Sequence, residues 1–289
     1  QVPRRGLDPR VLTAAGAFCR LVAYLPTVRR FSAAYLADTR RGLWADRSAL
    51  ADADLAGRKR ILEVGCGSGE FTEILRDESD ADIVAVDADR SLLERLTGND
   101  RVEGDATQLP FVDAAFDLVI CQALLINLPD PLPAVEEFER VSSNLVACIE
   151  PDNRAVRITS TVDAEPELAS RARAAFIAGV GTDVGLGDET KEVFEAAGLH
   201  DVSVRYHPHR QRITPPYSAS ALAGAAKKAR GSRIDAHRDT LLERFDPEEL
   251  DEFRGDWRAM GREVIEQMRT EEYEREEVTP FYVTVGTVR

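Results

Sequence analysis

Residues 61–72 read ILEVGCGSGEFT, and the reading of these twelve residues decides the fold. Residues 61–64 carry the aliphatic run of a short strand buried on both faces. Gly65, Gly67 and Gly69 then remove side chains from the turn, and EFTEILRDES (70–79) resumes with helical spacing. Bare backbone between a strand and a helix lets a ligand lie against main-chain atoms at a helix amino terminus. The same turn also serves a chain that needs only a tight reversal, so the flanking sequence must choose.

Outward from this turn the pattern repeats. DIVAVDAD (82–89) reads as a strand, SLLERLTG (91–98) as a short helix, and RVEGDATQLPF (101–111) as a brief strand entering a loop. FDLVICQALLINL (116–128) is a strand passing into a helix, LPAVEEFERVSS (132–143) a helix, and NLVACIEPD (144–152) a strand. IVAV, LVIC and LVACI are continuous apolar runs, as expected of strands covered on both faces by crossover helices. The spacing therefore predicts a parallel α/β sheet. Beyond it, residues 164–178 and KEVFEAAGLH (191–200) read as helices and DVSVRYH (201–207) as a strand. Residues 217–276 are largely helical, and PFYVTVGTV (280–288) is a closing strand.

Composition narrows the class. The chain has 289 residues, 44% hydrophobic and 30% charged, with a net charge of −14, the profile of a globular protein. Residues 1–60 hold twelve basic and five acidic side chains, a surplus of seven, so the remainder carries −21. An acidic body argues against general nucleic-acid binding, which depends on neutralising phosphates. The basic leading segment leaves an anionic partner open. Lysine occurs four times among 37 basic residues, which fits a salt-loving or GC-rich source. Cys19, Cys66, Cys121 and Cys148 form no CxxC pair and read as small buried hydrophobes in a reducing compartment. VLTAAGAFCRLVAYLP (11–26) is too short to span a bilayer and contains Arg20, so an amphipathic helix is favoured over a membrane span or leader. These features place the protein in the cytoplasm.

Two details sharpen the ligand. A dinucleotide fingerprint, G-x-G-x-x-G, requires glycine at position 70, where this chain has Glu70. Glu63 lies two residues before Gly65, and an acid at a strand end suits a ligand with an ammonium group. Asp87 ends the second strand eighteen residues after Gly69, where a carboxylate can take both hydroxyls of a ribose. Asp105 follows the third strand and can accept from the exocyclic amine of an adenine, with the Ala106 backbone facing the ring. Each acid alone also reads as a strand-end or turn-forming residue. Together they mark the carboxyl edge of one sheet, where open α/β folds bind ligands.

ILEVGCGSG, VAVDAD, GDATQLPF and FDLVICQALLINLPDPLPAVEEFERV together resemble the class I S-adenosylmethionine-dependent methyltransferases, especially those with a ubiquinone/menaquinone-type domain. IEPDN resembles the end of that family's fifth strand; the likeness is weak over 1–55 and 208–278. The resemblance implies a Rossmann-like, mostly parallel seven-stranded sheet with its last strand antiparallel. A helical cap (1–55) would precede the core (56–207), and a helical insertion (208–278) over the acceptor would precede the final strand (279–289). It also implies S-adenosyl-L-methionine as cofactor and methyl transfer to a small molecule. RNA or protein methylation, and cofactor binding without turnover, are the alternatives. By the same resemblance Gly65 and Gly67 approach the methionine and ribose portions, and Glu63 sits near the ammonium. Asp87 takes the ribose hydroxyls with Ala88 beside the adenine, Asp105 and Ala106 bind the adenine edge, and Gln122 lies near the amino-acid moiety. NLPD (127–130) departs from the (D/N)-P-P-(Y/F) tetrapeptide associated with amino-nitrogen methylation of bases.

The acceptor side is less defined. Phe18, Tyr24, Phe31, Tyr35 and Trp44 are expected either to line the acceptor pocket or to pack the added helices together. One of Arg40 and Arg41 is a candidate for the cofactor carboxylate. His207, His209, Glu150, Asp152, Tyr24 and Tyr35 are candidate bases, none assigned. His207-Pro208-His209 reads as a solvent-facing strand end and not as a metal site. Lys227, Lys228, Arg230 and Arg233 read as a solvated helix face, and residues 257–277 as an exposed amphipathic helix.

Overall fold

A computed structural model describes residues 33–98 and 100–289. The helix expected over residues 11–25 lies outside the described residues, as do Phe18, Cys19, Tyr24, Phe31 and the side chain of Tyr35. The chain divides into two compact units. Unit 1 takes residues 1–151, 186–207 and 281–289, and unit 2 takes residues 152–185 and 208–280. The sequence reading kept 152–185 with the core. Chain contacts group it with the later helices instead, because α5 buries its apolar side chains among theirs.

In unit 1, α1 (Ala33–Arg40) leads through two 3-10 helices (Ser48–Ala53 and Leu55–Gly57) to β1 (Arg60–Val64), α2 (Glu70–Glu78) and β2 (Asp82–Asp87). α3 (Arg90–Leu93), β3 (Arg101–Glu103), β4 (Phe116–Gln122), α4 (Leu132–Val141) and β5 (Ser142–Pro151) follow. The strands lie in the order β3-β2-β1-β4-β5, all parallel. Leu62, Val64, Val84, Val86, Val119 and Val146 fill one apolar layer, and Ile61, Ile83, Leu118, Ile120, Ala147 and Ile149 the other. Alternate residues of each strand thus face opposite layers, and both layers are covered, which is why these strands read as unbroken apolar runs. Cys66, Cys121 and Cys148 are buried, as the spacing predicts.

Unit 2 contains β6 (Arg157–Ser160), α5 (Ala164–Gly179) and a second helical group; α6 (Thr190–Ala196) belongs to unit 1. Strand β7 (His200–Ile213) runs from unit 1 into unit 2. There α7 (Ala219–Arg230), α8 (Ser232–Ala236), α9 (Arg238–Leu241) and α10 (Pro247–Arg269) follow, and β8 (Arg275–Thr287) returns to unit 1. The final residues of β8 pair antiparallel with β5, as the resemblance implies. Its first residues, 275–278, pair with β6. The sheet has eight strands where seven were expected, the addition being β6, whose four residues are too short to show a period.

Two expectations fail in unit 2. Residues 257–277 are not an exposed helix. α10 opens with a capping box on Asp246 and buries Leu250, Phe253, Trp257, Met260, Val264 and Met268, and residues 275–277 already belong to β8. Dense charge on the other face of α10 masked the apolar stripe. Lys228 is not on a solvated face either: its ammonium pairs with Glu165, which is 1% exposed. Among the described residues no helix is long and apolar enough to cross a membrane.

Candidate functional site

The parallel strands of unit 1 bring Glu63, Asp87, Asp105 and Gln122 to one sheet edge. Behind that edge the turn 65–69 is built on left-handed backbone, with φ of +73° at Gly65, +57° at Gly67 and +93° at Gly69. Leucine side chains also crowd Gly65 and Gly67. A Cβ on Gly65 would meet Leu124 at 3.0 Å, and one on Gly67 would meet Leu36 of α1 at 2.9 Å.

Glu63 is 2% exposed and accepts one hydrogen bond from Thr72 Oγ1 at 2.5 Å. Burial raises its pKa to about 7; the Thr72 bond and the charges of Arg40 and Arg76 act in the opposite direction without prevailing. A carboxylate held this way gains from a cationic ligand. Asp87 is spent partly on the loop itself, for Gly67 N–H donates to Oδ2 at 2.8 Å and Asp89 N–H to Oδ1 at 2.8 Å. Burial raises its pKa too, against those two bonds. Asp87 therefore fixes the glycine turn, and each oxygen retains a lone pair. Ala88 beside it is exposed.

Asp105 Oδ1 accepts from Thr107 N–H at 2.9 Å and Thr107 Oγ1 at 2.8 Å, closing an Asx turn, while Oδ2 has no protein partner among the described residues. The loop is pinned from α4. Glu137 accepts from Leu109 N–H at 2.7 Å, and Arg140 donates to the carbonyls of Leu109 and Phe111. Ala106 packs into the apolar layer beneath.

Gln122, 3% exposed, accepts from the Trp44 indole N–H at 2.7 Å. It lines a cavity of about 260 Å³ together with Arg40, Trp44, Glu70, Phe71 and Ile74. Arg40 is 12% exposed, 3.8 Å from Glu70, and its guanidinium lies 3.4 Å from where a Gly67 Cβ would stand. Sequence reasoning named Arg40 as one of two candidates; the structure puts it on the loop.

The candidate bases have other work. Glu150, wholly buried, accepts from the N–H groups of Leu124 at 3.0 Å, Leu125 at 2.9 Å and Ile126 at 3.3 Å. Burial raises its pKa to about 7 despite these bonds. It anchors the turn after β4, where Ala123 adopts φ +50°. His207 and His209 are 5% and 4% exposed, which corrects the solvent-facing reading. The His207 ring stacks on Trp44 at 5.0 Å, and its Nε2 lies 2.8 Å from the Leu43 carbonyl. Strand β7 thus holds the turn that follows α1. Trp44 packs also on Phe71 at 5.4 Å, so it joins the leading segment to the core as well as lining the cavity. Glu150, named as a candidate base, holds backbone instead, and Thr72 was missed because its position shows no spacing that signals a role.

Residues 62–145 match the family model for a methyltransferase domain. This stretch is a class I methyltransferase domain. The demethylmenaquinone methyltransferase of Clavibacter sepedonicus is 40% identical over 106 residues, covering 34% of this chain and 42% of the relative. That of Staphylococcus aureus (strain MRSA252) is 34% identical over 112 residues, covering 34% and 46%. The chain thus spans less than half the length of these relatives. Among solved structures, a SAM-dependent methyltransferase from Archaeoglobus fulgidus aligns with a TM-score of 0.47 at 16% identity, over 89% of this chain and all of that one. The YcgJ protein from Bacillus subtilis aligns at 0.48 and 14% identity, over 86% and 99%. The methyltransferase domain spans β1 to the start of β5, the stretch that carries the glycine turn and the three acidic strand ends.

Proposed function

We propose that the chain is an S-adenosylmethionine-dependent methyltransferase acting on a small-molecule acceptor in the cytoplasm. The observation that carries this reading is Glu63, a buried carboxylate with no cation in contact among the described residues, set behind a side-chain-free turn. An ammonium group at Glu63 would supply the missing charge. Arg40, beside Gly67, would hold the carboxylate of the same amino-acid end. Asp87 would take ribose hydroxyls through its remaining lone pairs, with Gly65, Gly67 and Ala88 alongside. Asp105 Oδ2 would accept from the adenine amine over Ala106, and Gln122 would donate its amide N–H toward the amino-acid portion. These residues fit such a cofactor by charge and by the space the glycines leave.

When bound, the cofactor supplies an activated methyl on a sulfonium. The task left to the protein is alignment, which contributes on the order of 7–11 kcal/mol in well-oriented systems. Glu63 and Arg40 would hold the amino-acid end, and Asp87 and Asp105 the nucleoside end. Glu150 and His207 hold backbone, which favours an acceptor that needs no side-chain base from them. The −21 charge beyond residue 60 supports a small molecule over a polyanion, and the curated relatives act on a demethylmenaquinone by name.

Calorimetry with S-adenosylmethionine, S-adenosylhomocysteine and NAD tests the reading. Binding of the first two and not the third is expected, with a loss of about tenfold or more in Asp87→Ala. Preference for NAD, or unchanged affinity in the variant, removes the assignment.

A further inference from the structure

The cavity beside the glycine turn contains a side chain whose orientation is fixed from the leading segment. Gln122 ends β4, is 3% exposed and lines this space of about 260 Å³. Its Oε1 accepts from the Trp44 indole N–H at 2.7 Å. An indole nitrogen only donates, so the carboxamide atom facing it must be the oxygen. The NH2 group is left at the other end, without a hydrogen-bond partner among the described residues. A largely buried side chain with an unpartnered donor calls for an acceptor.

Trp44 is itself held in place. Its ring stacks on His207 with centroids 5.0 Å apart and planes 10° from parallel, and on Phe71 at 5.4 Å and 29°. His207 Nε2 lies 2.8 Å from the Leu43 carbonyl, which makes it the N–H donor, so β7 also secures the residue next to Trp44. Turning the indole away would break both ring contacts. Flipping the Gln122 carboxamide instead would set its NH2 against the indole N–H, donor to donor. Arg40 lines the same cavity and adds guanidinium donors, with Glu70 3.8 Å away. A carboxamide NH2 and a guanidinium on one cavity suit a carboxylate, whose oxygens only accept.

We propose that Trp44 is a positioning residue that sets the polarity of Gln122, so that the cavity selects a methyl donor bearing a free carboxylate. The proposal rests on the S-adenosylmethionine reading of the site and adds the residue that turns Gln122 into a donor. Trp44 acts through Gln122, and His207 acts through Trp44. Without the indole N–H the carboxamide presents either end, and its oxygen repels a carboxylate.

The test measures by calorimetry the affinity of the full chain for S-adenosylhomocysteine and for its decarboxylated analogue, S-adenosyl-3-thiopropylamine. The two differ only in the carboxylate, so the ratio of their affinities reads the selection. Trp44→Phe keeps a ring between His207 and Phe71 and deletes the N–H. Its ratio should fall about three- to tenfold, with the analogue bound as tightly as by wild type. Gln122→Met, close in volume, should lower the ratio about tenfold, and adding Trp44→Phe to it should change the ratio no further. A ratio unchanged in Trp44→Phe, or an effect that persists in full on the Gln122→Met background, overturns the role of Trp44. Gln122→Glu serves if Trp44→Phe fails to fold. It keeps one oxygen for the indole and puts another where the NH2 stands, so the ratio should fall by more than about tenfold. A wild-type ratio in that variant overturns the assigned polarity. If neither ligand binds the wild-type protein, the methyltransferase reading falls and this inference with it, an outcome distinct from binding with an unaltered ratio.

Discussion

Glu63 in unit 1 and Glu165 in unit 2 are both buried glutamates, 2% and 1% exposed. Their surroundings are opposite. Glu63 has one hydroxyl donor and only distant cations, and burial raises its pKa to about 7. At Glu165 burial is outweighed by Lys228, Ser160 and Arg275, and the pKa falls below the ordinary carboxylate value. The contrast extends to neighbours: Asp87 and Glu150 are raised with Glu63, while Glu277 is lowered with Glu165. Burying a charge is costly until something of opposite sign arrives. Among the described residues, unit 1 leaves Glu63 without a cation in contact, whereas unit 2 sets two cations against Glu165.

Removing the carboxylates should have opposite consequences in the two units. Glu165→Gln leaves Lys228 and Arg275 facing each other without their shared acid, and a loss of about 3–5 kcal/mol in urea unfolding is expected. A loss below about 1 kcal/mol would mean that the pair is not buried as described.

Glu63 should show its imbalance in pH dependence. Its folded pKa, about 7, lies above the ordinary 4.5, so the folded state holds a proton that the unfolded state releases first. Stability is then greatest below about pH 4.5 for this group and is lost as pH rises through 7, on the order of 3 kcal/mol in all. Glu63→Gln should remove that slope and be more stable than wild type at pH 8, leaving the slope contributed by Glu150. Matching pH profiles for the two proteins would place Glu63 in a better-solvated or better-paired site.

The remaining two effects are smaller. Gly67→Ala puts a Cβ 2.9 Å from Leu36 on backbone at φ +57°, and a cost of about 1–2 kcal/mol is expected from the left-handed backbone. Ligand binding should weaken with it, which separates a binding turn from a merely tight one. Ser160→Ala deletes one of four contacts on Glu165 and should cost about 1 kcal/mol by thermal or urea melts, because the two cations remain.

Much of unit 1 is legible in the chain because its signals are local. An apolar run between glycines specifies a doubly covered strand, and the acids at positions 63, 87 and 105 fall where those strands stop. Unit 2 is harder to read. Lys228 lies in a basic run that any solvated helix would show, and its partner Glu165 is 63 residues away in the chain. The apolar stripe of α10 is diluted by a charged face, and β6 is four residues long.

By itself the sequence determined that parallel strands end in glycines and carboxylates at one edge, since alternation, run length and turn chemistry act between near neighbours. It did not determine which charges are matched. That Glu63 has no cation in contact among the described residues, that Glu150 holds three amides, that His207 lies against Trp44 and that Lys228 and Arg275 share Glu165 are consequences of long-range packing, which alone sets distance, burial and therefore the energy of a charge.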